Sequence, residues 1–110
     1  MDERQRRLGL NETLFREVNE RVKSVSEAFA EPASMAEFVC ECGDDSCVAR
    51  IQMSLDEYEF VRSSPIRFAV VKGHELPEVE RVISENDRFT VVEKLRGGPA
   101  ELAEAHDPRG

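Results

Sequence analysis

Three cysteines lie close together in the segment 40–47 and are the residues of this sequence best suited to chemistry. Cys40 and Cys42 are separated by one residue, and Cys47 follows after four more. Gly43 and the polar residues after it favour a turn that brings the third thiolate back toward the first two. Thiolates are soft ligands that suit Zn²⁺ and iron–sulfur centres. The spacing therefore predicts a metal-binding loop.

A closed zinc site takes four protein ligands, so the three cysteines need one more. The sequence contains two histidines. His106 lies in the C-terminal tail, whereas His74 lies in a loop directly after a predicted strand. We therefore predict one Zn²⁺ per chain in a Cys₃His site, with an iron–sulfur centre as the less favoured cofactor. The predicted ligands are Cys40, Cys42, Cys47 and His74.

Two other interpretations of the cysteines stay open. The Cys-x-Cys start departs from the common zinc spacing of Cys-x₂₋₄-Cys. Cys40 and Cys42 could face one side of a strand as small buried hydrophobic residues. Alternatively, Cys47 could form a reversible disulfide with one of them, which would leave an odd thiol and suit a redox sensor.

A catalytic site is the least favoured hypothesis. It would need an open position on the metal, with His74 as a base assisted by Glu75 or Glu41. A nucleophilic pair of Cys47 and His74 is the other arrangement. The sequence lacks the signatures of zinc deaminases, of phosphate-binding glycine loops and of dinucleotide sites. We therefore assign no catalytic residue.

Composition sets the class of protein. The chain has 110 residues, of which 40% are hydrophobic and 35% charged, as expected of one folded domain. Its net charge of −8 disfavours nucleic-acid binding. No apolar run approaches the ~20 residues that span a membrane, and the N-terminus has no apolar signal core. We therefore expect a cytoplasmic protein, in which clustered thiols favour metal binding over structural disulfides.

The first predicted element is a helix from Asn11, a suitable N-cap, to about Ala30, since Pro32 disfavours its continuation. Apolar residues in this segment recur in steps of three and four, which predicts the face that packs on the rest of the domain. The same spacing leaves open a homodimer through this helix, although a monomer is favoured. The face consists of Phe15, Val18, Val22, Val25 and Phe29.

The other elements predict an α+β fold, in which the long N-terminal helix packs on a small, mainly antiparallel sheet with a metal-binding hairpin. Residues 10–96 should form the domain, with flexible ends at 1–9 and 97–110. The segment 77–85 fits either a helix or a strand, and a strand is favoured. A Ser-x-x-Glu capping box predicts a short helix at 55–62. The remaining predicted strands span 35–41, 48–53, 67–72 and 88–94.

The sequence also resembles a family of small bacterial proteins for which no activity is established. The resemblance covers about residues 11–95, and it implies only that the cysteines and the His74 loop belong to one scheme. The segments that carry it are FREVNE (15–20), FVCECG (38–43), SLDEYE (54–59), GHE (73–75) and VVEK (91–94).

The function predicted from these features is that of a small metal-stabilised binding, adaptor or regulatory module. It would meet a protein partner through its acidic surface or its N-terminal helix. A thiol-based redox or metal sensor is the alternative, and a small metalloenzyme is less favoured.

Overall fold

The structure is a computed structural model that describes residues 2–29 and 35–110. The predicted connection at Pro32–Ser34 lies outside these residues. Helices and strands combine in an α+β fold, which confirms the predicted class. In chain order the elements are α1 (Glu3–Phe29), β1 (Met35–Val39), β2 (Arg50–Ser54), α2 (Leu55–Arg62), β3 (Arg67–Val70), β4 (Glu80–Glu85), β5 (Thr90–Lys94) and α3 (Gly98–Ala105).

The strands form two small antiparallel sheets rather than a single one. β1 pairs with β2, and β5 lies between β3 and β4 in a three-stranded sheet. The chain after β1 leaves its own sheet and runs beside the free edge of β3, where the Glu41 N–H donates to the Ala69 carbonyl at 2.9 Å. The segment that carries the first two cysteines therefore joins the two sheets. The favoured assignment of 77–85 as a strand is confirmed for 80–85 by β4, whereas residues 77–79 form a turn.

The core lies between the two sheets and α2. Phe38 of β1 stacks on Tyr58 of α2, with ring centroids 4.6 Å apart. The predicted capping box starts α2: Ser54 accepts a hydrogen bond from the Glu57 N–H, and the Glu57 side chain accepts one from the Ser54 N–H. Other buried core residues are Ile51, Met53, Val61, Phe68, Val70, Val91 and Val92.

Helix α1 begins at Glu3, well before the predicted start at Asn11. The Asp2 carboxylate accepts a hydrogen bond from the Gln5 N–H at 2.7 Å, so Asp2 caps the helix that Asn11 was expected to cap. Helix α3, which the sequence did not predict, packs against α1. The buried Gly9 lies so close to α3 that an added Cβ would come within 2.9 Å of Leu102. This packing explains why residues 3–9 are helical.

The face that α1 turns inward is polar rather than apolar. Glu12, Arg16 and Asn19 are buried, whereas Val18 and Val25 are 39% and 61% exposed. The predicted packing face is therefore wrong at Val18 and Val25. Val22, which lies between them in the sequence, does pack against the core. Phe29 lies at the described limit of the helix, and its side chain lies outside the described residues.

The inward face of α1 is polar because its buried charges pair with charged residues outside the helix.

Within residues 2–29 and 35–110, every helix is too short or too polar to cross a membrane.

Candidate metal centre

The loop between β1 and β2 carries the three cysteines. The Cys40 N–H donates to the Ala49 carbonyl at 3.2 Å, which closes the base of the loop. Asp44 forms the turn of this loop. The Asp44 side chain accepts a hydrogen bond from the Ser46 N–H at 2.9 Å, and the Asp44 carbonyl accepts one from the Cys47 N–H at 3.0 Å. This Asx turn returns Cys47 toward the start of the loop, as the turn-rich sequence predicted.

Gly43 allows the cysteine loop to lie directly against α1. Its φ is +83°, and an added Cβ would lie 2.8 Å from the Leu8 carbonyl oxygen and 2.9 Å from Glu12 Cγ. The Asn11 side-chain amide donates to the Gly43 carbonyl at 3.0 Å. Only glycine tolerates both this backbone conformation and this close approach. The helix therefore supports the loop from one side.

His74 comes from the loop between β3 and β4. Its N–H donates to the Val71 carbonyl at 2.9 Å, and Gly73 at the third position of this turn has a φ of +91°. That conformation is typical of a type II turn, which favours glycine at this position. The Val71 N–H in turn donates to Cys40 Sγ at 3.2 Å. The histidine loop and the cysteine loop are thus hydrogen-bonded to each other.

The four predicted ligands lie together. We call them the Cys₃His cluster; one ligand atom from each lies within 4.8 Å of those of the others. His74 Nδ1 is 3.7 Å from both Cys40 Sγ and Cys47 Sγ. Tetrahedral zinc with Zn–S near 2.3 Å and Zn–N near 2.0–2.1 Å requires S···N distances of about 3.6 Å. These two distances are close to that value, and the cluster could hold a metal ion.

The thiols of the cluster differ in acidity. A hydrogen bond between Cys40 and Cys42 lowers the pKa of Cys42 and raises that of Cys40, where burial raises it further. Cys40 and Cys42 are buried, whereas Cys47 and His74 are half-buried. Since a thiolate is the form that binds metal, Cys42 is the thiol best prepared to be a ligand, and an incoming cation would favour deprotonation of the others.

Glu41 lies between two ligands in the sequence but points away from them. Its carboxylate forms two hydrogen bonds with Arg16, at 3.1 and 3.2 Å, and accepts a third from the Ala69 N–H at 3.0 Å. The alternation of side chains along an extended segment explains this, because Cys40 and Cys42 face one side and Glu41 the other. Glu41 therefore cannot assist His74 as a base, and that suggestion is wrong.

The other candidate residues from the sequence differ in their positions relative to the cluster. Cys47 and His74 are close, as a nucleophilic pair would need, and Glu75 follows His74 in the same loop. His106 is the C-terminal cap residue of α3 and does not belong to the cluster.

Arg16 and Asn19 are supporting residues that the sequence analysis missed. Arg16 lies over the Phe68 ring, 4.0 Å from its centroid, and also donates to main-chain carbonyls at the start of β3. The Asn19 amide pairs with the backbone of Val39, accepting at 2.8 Å and donating at 3.0 Å, and donates to Glu41 at 3.1 Å. Both residues thereby fix the direction in which the chain enters the cysteine loop.

The signal for these residues was a second periodicity in α1. Glu12, Arg16 and Asn19 follow one another in steps of four and three, the same spacing as an apolar face. Burial of charge requires partners, and here the partners lie far away in the sequence. Periodicity alone could not distinguish this face from a solvated one.

A second group of buried charges lies on the same inward face of α1 as the Arg16–Glu41 pair. Lys94 of β5 donates to the carboxylates of Glu12 and Glu80, each at 2.6 Å, and the three side chains are almost fully buried. Burial raises the pKa of Glu12 to about 7, although the charge of Lys94 opposes the shift. The pKa of Lys94 is raised by the two carboxylates despite its burial.

A cavity of about 530 Å³ borders the Cys₃His cluster. Cys42 and His74 lie in its wall, together with parts of α1 and of both loops. A volume of this size is in the range of small-molecule sites. One side of the candidate metal centre is therefore accessible to small molecules.

No family model matches this chain, and neither the curated proteins nor the solved structures include a significant match to it. The resemblance to small bacterial proteins stays a prediction.

Proposed function

We propose that the protein binds one Zn²⁺ in the Cys₃His cluster and that this ion is a structural centre of a small binding or regulatory module. The observation that carries the proposal is the convergence of four ligand atoms within 4.8 Å, from two loops that belong to different sheets. Three thiolates and one imidazole form a donor set typical of structural zinc. Their soft character disfavours magnesium and calcium.

The position of the cluster supports a structural role. The β1–β2 loop and the β3–β4 loop are also joined by the hydrogen bond from the Val71 N–H to Cys40 Sγ. An ion bound by both loops would link the two sheets. Structural zinc contributes roughly 10–16 kcal/mol in zinc-finger peptides, more than the few kcal/mol that a core of this size supplies. We therefore expect metal removal to unfold the domain.

The working surface of such a module would be the outer face of α1. Leu14, Val18 and Val25 are exposed there, although the inner face of the same helix is polar. Exposed apolar residues grouped on one helix face are typical of a protein-binding surface. We further propose that the protein is a monomer and binds a protein partner rather than nucleic acid. We place it in the cytosol, where its thiols would be reduced.

A thiol-based sensor is the second candidate. The three sulfur atoms lie within 4.8 Å of one another, and Cys47 is half-buried. An oxidant could therefore join Cys47 to Cys40 or Cys42, with loss of the ion. Mild oxidation that neither releases zinc nor forms a disulfide would remove this candidate.

A metalloenzyme has less support. Four protein ligands fill a tetrahedral sphere, which leaves no position for water or substrate. An enzyme would require His74 to leave the metal.

Elemental analysis of the purified protein and of three variants tests the zinc proposal. Wild type should contain about one zinc per chain, and so should His106→Ala, a matched control outside the cluster. Cys42→Ser and His74→Ala should lose most of the zinc and melt at lower temperature. Metal-free wild type with an unchanged fold and melting temperature would contradict the structural role.

A further inference from the structure

The cavity beside the Cys₃His cluster has two walls of opposite charge. The α1 wall carries the guanidinium groups of Arg4 and Arg7. The loop wall carries Asp45 and Glu75 beside the ligands, together with Asp44, whose carboxylate is engaged by Ser46. A metal cation is attracted to the loop wall, and an anionic group is attracted to the helix wall.

Arg7 is the cation most available to a ligand. Arg4 forms an ion pair with Glu78 at 2.7 Å. Within the described ranges 2–29 and 35–110, no carboxylate forms an ion pair with Arg7, which is exposed. Although the chain carries a net charge of −8, this guanidinium gives the cavity a local attraction for an anion.

We propose that this cavity is the exchange site of the metal centre, where a small anionic chelator that carries a divalent metal ion docks. Its carboxylate or thiolate groups would contact Arg7, and its metal would face Cys42 and His74. The inference rests on the proposed zinc centre. It adds a route by which a chelator takes the ion from the folded domain, ahead of the unfolding that loss of the metal causes, and a chemical class for the carrier.

The exchange conserves charge and oxidation state. Donor bonds from the carrier to Zn²⁺ break as bonds from Cys42 and then the other ligands form. Each thiol that becomes a ligand releases its proton to solvent or to the freed carrier. Removal of the ion by a free chelator follows the same steps in reverse.

Extraction of zinc from the loaded full-length protein tests this route with two chelators of different charge. Nitrilotriacetate is anionic, and 1,10-phenanthroline is neutral. Arg7→Gln should slow extraction by nitrilotriacetate by about fivefold or more, because a charge at the rim acts mainly on the association rate. Arg6→Gln is the matched control, since Arg6 is an exposed neighbour on α1 that does not line the cavity. Neither substitution should change extraction by phenanthroline.

A second pair of variants tests access rather than charge. Leu8→Trp places a large side chain in the cavity wall and should slow both chelators, whereas Leu14→Trp on the exposed face of α1 should slow neither. Urea denaturation of all variants would separate slower exchange from altered stability.

The outcomes separate the two proposals. If wild type binds no zinc, the proposed function and this inference both fall. If it binds zinc but Arg7→Gln behaves as Arg6→Gln does, only the exchange site is overturned. Extraction rates that do not depend on chelator concentration would also overturn it, because they would show that unfolding limits release.

Discussion

Arg16 of α1 and Glu41 of the cysteine loop form a buried bidentate ion pair, with Nε–Oε2 at 3.1 Å and Nη2–Oε1 at 3.2 Å. Their side chains are 3% and 0% exposed. The pair holds the main chain between Cys40 and Cys42 in a fixed direction, so that both thiols face the His74 loop. The candidate metal centre is therefore built on a buried charge interaction as well as on its own ligands.

Removal of one charge from this pair should be costly. Arg16→Met keeps much of the contact with Phe68 but leaves the Glu41 carboxylate buried without its cation. We expect a loss of about 3–5 kcal/mol in the free energy of unfolding, measured by urea denaturation of the zinc-loaded protein. The control is Arg88→Met, which breaks a partly exposed pair with Glu57 and should cost about 1 kcal/mol or less. Equal costs for the two variants would contradict the supporting role of Arg16.

Gly43 should tolerate no side chain. Gly43→Ala adds a Cβ within 3 Å of the Leu8 carbonyl and of Glu12, on a backbone with a φ of +83°. Gly73→Ala is the matched control: its φ is +91°, but nothing lies within 4 Å of the added Cβ.

The left-handed conformation should cost about 1–2 kcal/mol in both variants. Only Gly43→Ala should show a further loss in thermal denaturation, because the loop must move away from α1. Similar losses at the two positions would show that the loop is not pressed against the helix.

Glu12 should make stability depend on pH near neutrality. Its pKa is raised from its usual 4.5 to about 7, so the folded chain holds a proton that the unfolded chain releases. The stabilisation from this group is complete below pH 4.5 and is lost as the pH rises through 7. The shift corresponds to an upper limit of about 3 kcal/mol.

The test compares wild type with Glu12→Gln, both loaded with zinc, from pH 5 to pH 8. As the pH rises, the unfolding free energy of wild type should fall relative to that of Glu12→Gln. Effects common to both proteins cancel in this difference. A constant difference, or a Glu12 carboxyl resonance that titrates near pH 4.5 in NMR spectra, would contradict the account.

The exposed and the packed apolar residues of α1 should respond differently to polar substitution. Leu14→Ser and Val25→Ser change side chains that are 56% and 61% exposed, so each should alter stability by about 0.5 kcal/mol or less. Val22→Ser changes a residue packed against the core and should cost clearly more. If Val25→Ser were the more damaging variant in chemical denaturation, the assigned orientation of α1 would be incorrect.

Local signals in the sequence predicted much of this structure. The Ser54 capping box, the alternation in β2 and the turn after Cys42 all depend on residues close together in the chain, and each prediction was confirmed. The proximity of His74 to the cysteines was also predicted, because few residues could supply a fourth ligand.

The inward face of α1 and the role of Glu41 could not be predicted in the same way. Arg16 and Glu41 are 25 residues apart, and Lys94 is 14 residues from Glu80. Nothing local indicates that such charges meet in the core, so the apolar periodicity at Val18 and Val25 led to the wrong face. Helix α3 was missed because its short glycine- and proline-containing segment gives a weak signal, and its contacts are with the start of α1.

X-ray absorption spectroscopy at the zinc edge tests the central claim most directly. The zinc-loaded protein should show three sulfur ligands at about 2.3 Å and one nitrogen at about 2.0–2.1 Å, and any zinc that His74→Ala retains should lack this nitrogen. A protein that does not retain zinc, or a zinc sphere of oxygen ligands that His74→Ala leaves unchanged, would contradict the assignment of Cys40, Cys42, Cys47 and His74 as a metal centre.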